Sequence, residues 1–223
     1  MKRFFLFVIC FAVTAQLFAQ KFSVTNLRCQ YSNNPLGVDA VHPKLSWQLE
    51  SKQLNVLQTA YRILVADNEV LLKNNTGNIW DSKQTKSAAS IEVAYAGKSL
   101  RSAKKYFWKV QVWDNKGNVS AWSGAAHWQM GLMQAKDWSN AKWIGYEEIN
   151  DTAIIAPHVH MSGKKAWGLR KDILPVLRKE FAVAKKIKQA TVFICGLGHF
   201  EVSINGKKIG DHFLAPGWTN YSK

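Results

Sequence analysis

From Tyr106 to Asp114 the side chains alternate, with Tyr106, Trp108, Val110 and Val112 on one face and Lys109 and Gln111 on the other. Successive residues of a strand point to opposite faces of a sheet, so this segment is a strand that buries one side. The same period runs through Leu45, Trp47 and Leu49, through Tyr61, Ile63 and Val65, through Ile91, Val93 and Tyr95, and through Ala126, Trp128 and Met130. Turn formers separate these runs: Asn33-Asn34-Pro35, Asn74-Asn75-Thr76-Gly77 and Asp114-Asn115-Lys116-Gly117-Asn118. Short alternating strands with regular turns predict an antiparallel β-sandwich, and no helical period interrupts residues 22 to 132. Ten Trp, eleven Phe and six Tyr against four Met agree with aromatic-packed strands.

The ends of the chain read differently. Met1-Lys2-Arg3, an apolar run from Phe4 to Val13 and the small residue Ala19 form a signal-peptide pattern, with cleavage between Ala19 and Gln20. The protein is therefore expected to be exported, to the periplasm or beyond, and no apolar run reaches the ~18 to 20 residues needed to span a bilayer as a helix. Removing that segment leaves Cys29 and Cys195, which are expected as buried free thiols rather than a disulfide or a zinc site. Residues 149 to 174 are irregular and read as a long loop. Strand-like pattern returns at 177–183, 190–195 and 199–204, and Asn205-Gly206 between two such runs is a strong hairpin signal.

The expected organisation is a signal peptide over 1–19, a first β-sandwich over 20–132, a linker over 133–142 and a second β-domain over 143–223. From Trp143 onward there are about five possible strands, where a jelly-roll sandwich takes about eight. An unfinished sheet leaves open edges and an uncovered apolar face. The second domain is thus expected to be an incomplete jelly-roll-type sandwich, the front of a longer polypeptide.

Two resemblances follow. Leu100, Ala103, Tyr106, Trp108, Val110, Val112 and Asp114, then Gly117 and Ser120-Ala121-Trp122-Ser123, are similar to the last two strands of a fibronectin type III domain. That likeness implies that Tyr106 bonds back to the preceding corner and that Trp47 is the core Trp of the second strand. The second is carried by N-N-P-L-G-V-D at 33–39, P-K-L-S-W-Q-L at 43–49, Q-T-A-Y-R-I-L-V-A at 58–66, I-W-D-S at 79–82 and Y-A-G-K-S-L at 95–100. It continues through A-K-W-I-G at 141–145, L-R-K-E-F at 177–181, G-L-G-H-F-E-V-S-I-N-G-K-K-I-G-D-H at 196–212 and P-G-W-T-N-Y at 216–221. In this order they resemble the N-terminal part of secreted bacterial α-L-rhamnosidases, which are inverting glycoside hydrolases. The resemblance implies a fibronectin-like domain and the opening of a β-sandwich used in substrate recognition, ahead of an (α/α)6 barrel and a C-terminal β-domain absent from this chain. A rhamnose-containing glycan is then the implied partner, through the parent enzyme.

Inverting hydrolysis needs two carboxyl groups roughly 6.5 to 9.5 Å apart, one acid and one base. The resemblance places that pair in the barrel, and Glu147-Glu148, Asp151, Glu180 and Asp211 offer no substitute. No catalytic residue is expected here, and the chain alone is predicted to be inactive. His158-x-His160 lacks a third ligand, so no metal is expected, and no motif calls for a cofactor. The formal charge of +15 is spread over loop lysines, and nucleic acid is not an expected partner. The alternative is a free-standing exported carbohydrate-binding or adhesive module, in which Phe107, Trp113, Trp167 and Trp218 stack on sugar rings. For Phe107 and Trp113, which lie opposite the core residues, packing against the following domain is the favoured expectation.

Overall fold

The computed structural model describes residues 22–145, 175–187, 189–213, 215 and 217. The chain divides into two compact units between Asp137 and Trp138. The expected cleavage site at Ala19 and Gln20, the His158-x-His160 pair, Trp167 and Trp218 lie outside the described residues.

The first unit is a two-sheet β-sandwich. One sheet pairs β1 (Phe22–Cys29), β2 (Lys44–Ser51) and β6 (Val93–Ala94) in the order β1-β2-β6. The other runs β4 (Trp80–Asp81), β3 (Gln58–Ala66), β7 (Lys105–Asp114) and β8 (Ala126–Gln129), with β5 (Thr85–Lys86) also on β3. The register sets Ile63 opposite Val110, Tyr61 opposite Val112, Val65 opposite Trp108 and Tyr106 opposite Trp128. Every one of these residues is buried. Cross-strand neighbours on one face are the unit of sheet stability, and here each pair is apolar on both sides. Leu45 and Trp47 from the facing sheet close the core, with the Trp47 and Tyr61 rings edge to face at 5.3 Å.

The corner before β7 is fixed by a side chain. The Arg101 N–H donates to Tyr106 Oη at 2.9 Å, as the fibronectin-like pattern implied. Tyr106→Phe keeps the ring but leaves that N–H without its acceptor. It should cost about 1–3 kcal/mol, read as a lower denaturant midpoint. A loss below half a kcal/mol would show that the corner is held by packing alone.

The Ser120-Ala121-Trp122-Ser123 segment runs beside β7 with its serines supplying bonds that a strand would make. The N–H groups of Ser120 and Ser123 donate to the carbonyls of Val112 and Val110 at 2.9 Å each. In return the N–H groups of Val112 and Val110 donate to Ser120 Oγ and Ser123 Oγ at 3.0 Å each. The buried middle of β7 is thereby satisfied without a regular ladder.

Three sequence expectations change in this unit. Ile91 stands 71% exposed while Val93 and Tyr95 are buried, because the chain before β6 crosses between the sheets instead of lying in one. Lys109 is buried although its face was expected to be open, because Trp122 and Asn75 cover it. One five-residue helix, α1 (Glu69–Lys73), interrupts the strands. It is too short to show a period, and its start is marked by Asn68, whose Oδ1 accepts from the Val70 N–H at 2.7 Å.

In the second unit the Asn205-Gly206 turn forms the expected hairpin between β9 (Ser203–Ile204) and β10 (Lys207–Lys208). Asn205 and Gly206 both take positive φ, 51° and 75°. The Ile209 N–H to Val202 carbonyl bond at 2.8 Å extends the pairing. The runs 177–183 and 190–195 were expected as strands, yet neither carries a ladder among the described residues. An alternating pattern prepares a segment for a sheet, but only a paired neighbour makes it a strand. Phe181, Val192, Ile194 and Phe213 are all exposed.

Cys29 is buried and Cys195 exposed, so the expectation of two buried thiols is corrected at Cys195. Burial pushes the Cys29 thiol up to about 12. A thiol reagent at neutral pH should therefore label Cys195 at once and Cys29 only after denaturation. Fast labelling of both thiols in the native chain would contradict the packing of β1 against β2.

Candidate functional site

The outer face of the β3–β7 sheet carries the aromatic and charged side chains that sequence reasoning singled out. Phe107 and Trp113 leave β7 on this face, and both are half-buried. They are six residues apart on one strand, about 20 Å at strand rise, too far to flank a single sugar ring. Phe107 packs against the small cluster of Leu64, Ala66 and Leu72 beneath α1, with its ring 6.0 Å from that of His127. Trp113 lies opposite Ala60 and is bridged to Val119. The structure does not bring the two together in one site.

Between them sits a residue that the sequence reading used only as part of a strand motif. Trp122 is held over the face by the serine-for-ladder exchange described above. Its ring lies 5.0 Å from Lys109 Nζ and 5.8 Å from the Arg62 guanidinium carbon. Arg62 is bidentate on Asp81 through Nε and a terminal nitrogen, both at 2.9 Å, and Lys83 Nζ adds a third contact at 2.7 Å. The Arg62 guanidinium, aided by Lys83, holds the Asp81 carboxyl far below the usual carboxylate range. Burial lowers the proton affinity of Lys109, whose ammonium donates to Asn75 Oδ1 at 2.6 Å. A cation over an indole face and a bidentate carboxylate clamp are strong local contacts. Here they tie the 118–124 segment and β4 to β3 and β7.

Asp114 and Asp137, like Asp81, have structural tasks. Burial raises the proton affinity of Asp114, but hydrogen bonds from the Asn118 side chain and from the N–H groups of Asn118 and Lys116 outweigh it, and the net direction is down. Asp137 is lowered by the Ser102 hydroxyl and by the N–H groups of Gln134 and Met133. A general acid needs the opposite direction. Every carboxyl with a resolved shift among the described residues moves away from that role. In the second unit Glu180 pairs with Arg178 and Glu201 with Lys208. No group of three or more His, Cys, Asp and Glu side chains among the described residues is arranged to hold a metal ion.

Residues 24–134 match the Rha78A-like N-terminal immunoglobulin domain, and residues 185–223 match the α-L-rhamnosidase N-terminal domain. An α-L-rhamnosidase of Formosa agariphila is 34% identical over 193 residues, which is 86% of this chain and 20% of that protein. One from Streptomyces avermitilis is 43% identical over 121 residues, covering 54% of this chain and 12% of the relative. The solved α-L-rhamnosidase of Dictyoglumus thermophilum superposes on 56% of this chain and 14% of its own, at 38% identity and a TM-score of 0.54. The Streptomyces avermitilis α-L-rhamnosidase solved with L-rhamnose superposes on 53% of this chain and 11% of its own, at 41% identity and a TM-score of 0.51. The chain spans about a fifth of the length of the curated relatives that it matches most extensively. Both domains are matched in their order along the chain, and what it is similar to is the N-terminal region of the α-L-rhamnosidases.

Proposed function

We propose that this chain is the non-catalytic N-terminal part of an exported α-L-rhamnosidase acting on terminal α-L-rhamnose of glycans or glycosides. Residues 20–132 serve as a bracing module, 133–142 as a linker, and 143–223 as the opening of the sandwich that contributes to substrate recognition. The observation that carries this reading is the ordered match of two N-terminal domains across a chain one fifth as long as its rhamnosidase relatives. It is supported by carboxylates committed to turns and ion pairs, and by strand-patterned residues such as Phe181 and Val192 that stand exposed. Such residues suit a sandwich whose partner strands come from a larger domain.

The test is direct. The purified chain mixed with an aryl α-L-rhamnoside should release no phenol above the uncatalysed rate. Release at an enzymic rate, about a million-fold or more over background, would overturn the inactive assignment. Export and cleavage are read by mass spectrometry of the secreted product, which should begin at Gln20.

A further inference from the structure

A groove of about 600 Å³ opens in the first unit where β2 runs out of neighbours. On its β6 side β2 is paired only at Lys44 and Leu45. One more backbone bond, from the Trp47 N–H to the Ser90 carbonyl at 2.9 Å, follows, and no ladder continues beyond it among the described residues. The floor is rigid. The Trp47 indole donates to Gln58 Oε1 at 2.9 Å, and the Gln58 amide donates onward to the carbonyls of Ser87 and Ala89 at 3.2 and 2.8 Å.

The wall is shaped by a β-bulge. Thr25 pairs with Gln48 and Arg28 with Ser46, which leaves Asn26 and Leu27 opposite Trp47 alone. Asn26 takes a φ of 48° there. Bulges re-aim side chains, and this one turns Asn26 and Arg28 into the groove. Arg28 Nε donates to Asn26 Oδ1 at 3.2 Å, and the guanidinium has no carboxylate partner among the described residues. The Gln48 amide, on the same side, makes no hydrogen bond to a described residue. At the mouth Tyr31 is 63% exposed and bonded to the Glu92 carboxylate. Tyr31 and Glu92 both lie in the left-handed region, at φ 64° and 55°. Such backbone is costly for bulky residues and concentrates at binding sites. Leu57 and Ile91 line the opposite side and are largely exposed.

We propose that this groove is a saccharide-binding site, in which Arg28, Asn26 and Gln48 take ring hydroxyls while Tyr31, Leu57 and Ile91 cover the C–H face of the sugar. A sugar hydroxyl both donates and accepts, so it is matched by a guanidinium beside amides that offer both roles. Its C–H face needs apolar surface of the kind Tyr31 supplies. A peptide strand added to the β2 edge would be held mainly by backbone groups, and would leave the polar side chains of Asn26, Arg28 and Gln48 unused. The volume falls in the range of small-molecule sites.

The choice of sugar rests on the rhamnosidase reading, whereas the groove itself does not. Saturation-transfer NMR at micromolar chain with an α-L-rhamnosyl disaccharide, and separately with maltose, tests both. Transfer to the rhamnosyl C–H protons is expected, with affinity weakened about fivefold or more in the Arg28→Ala, Gln48→Ala double variant. Tyr31→Ala should weaken it similarly, and all three positions are exposed enough to leave the melting temperature almost unchanged. Transfer to maltose alone, lost in the double variant, supports the site and counts against rhamnose. Transfer to neither sugar, or an affinity unchanged in the double variant, overturns the site and leaves the hydrolysis test standing on its own.

Discussion

Trp128→Ala should destabilise the first unit by about 3–5 kcal/mol, the range for emptying a buried aromatic site. Trp128 is fully buried on β8, 5.6 Å from the Tyr106 ring and 6.1 Å from that of Tyr95. Its indole donates to Met130 Sδ at 3.2 Å. Tyr95 in turn packs edge to face on Trp80 at 5.3 Å, so the cavity would open into a chain of rings that link both sheets. Domains of this size are stable by only about 5–15 kcal/mol. The urea midpoint should therefore fall by roughly 2 M, given slopes of about 1–3 kcal/mol per molar. Trp122→Ala is the comparison, since that ring is half-buried over two cations and should cost less than half as much. Equal losses at the two positions would mean that the outer clamp, not the inner stack, holds the unit together.

Gly77→Ala should be nearly as damaging for a change of one methyl group. An added Cβ would sit 2.2 Å from the Trp80 carbonyl oxygen and 3.1 Å from Leu64 Cδ2. The leucine methyl can rotate away. The carbonyl cannot, because Trp80 is paired with Val65 in the sheet and the adjacent Ile79 N–H donates to the Val65 carbonyl at 3.1 Å. Overpacking costs about 1–3 kcal/mol, and a clash with fixed backbone puts this site at the upper end of that range. Gly97→Ala meets the same strand, with its Cβ 2.7 Å from the Ile79 carbonyl oxygen, and should behave alike. Gly117→Ala is the contrast: nothing lies within 4 Å, and the penalty is that of a left-handed residue at φ 78°, about 1–2 kcal/mol. If Gly117 proves the most sensitive of the three by thermal melts, close approach around Trp80 is not what the turn at 74–80 requires.

Much of the sandwich could be read before the fold was seen. Alternation named the inward faces of β3, β7 and β8 correctly because the pleat allows no other arrangement of those side chains. Tyr106 at the corner and Asn205-Gly206 at the hairpin were legible for the same reason: each is a local geometry that few residues satisfy. The misreadings have a common physical origin. Ile91, Lys109 and Cys195 carry the right pattern for their expected environments, but exposure depends on what a distant segment does. Trp122 covers Lys109 only because Ser120 and Ser123 dock on β7, and that docking is invisible in a hydropathy pattern. Phe107 was expected to pack against the following domain; that it packs on the cluster beneath α1 could not be read, because that helix is too short to show a period.

The proposed binding groove lies at the far end of that scale. Its lining comes from four stretches near residues 26–31, 46–49, 56–58 and 88–91, none of which carries a recognisable motif. A bulge opposite Trp47 and a strand edge left unpaired after Leu45 bring them together. Side-chain order along the chain thus settled which faces are apolar and where the chain turns, since those are properties of a few neighbouring residues and their allowed φ and ψ. Which strands pair, which polar groups are covered and where a cavity opens were decided by contacts between residues tens of positions apart, whose energies no local window contains.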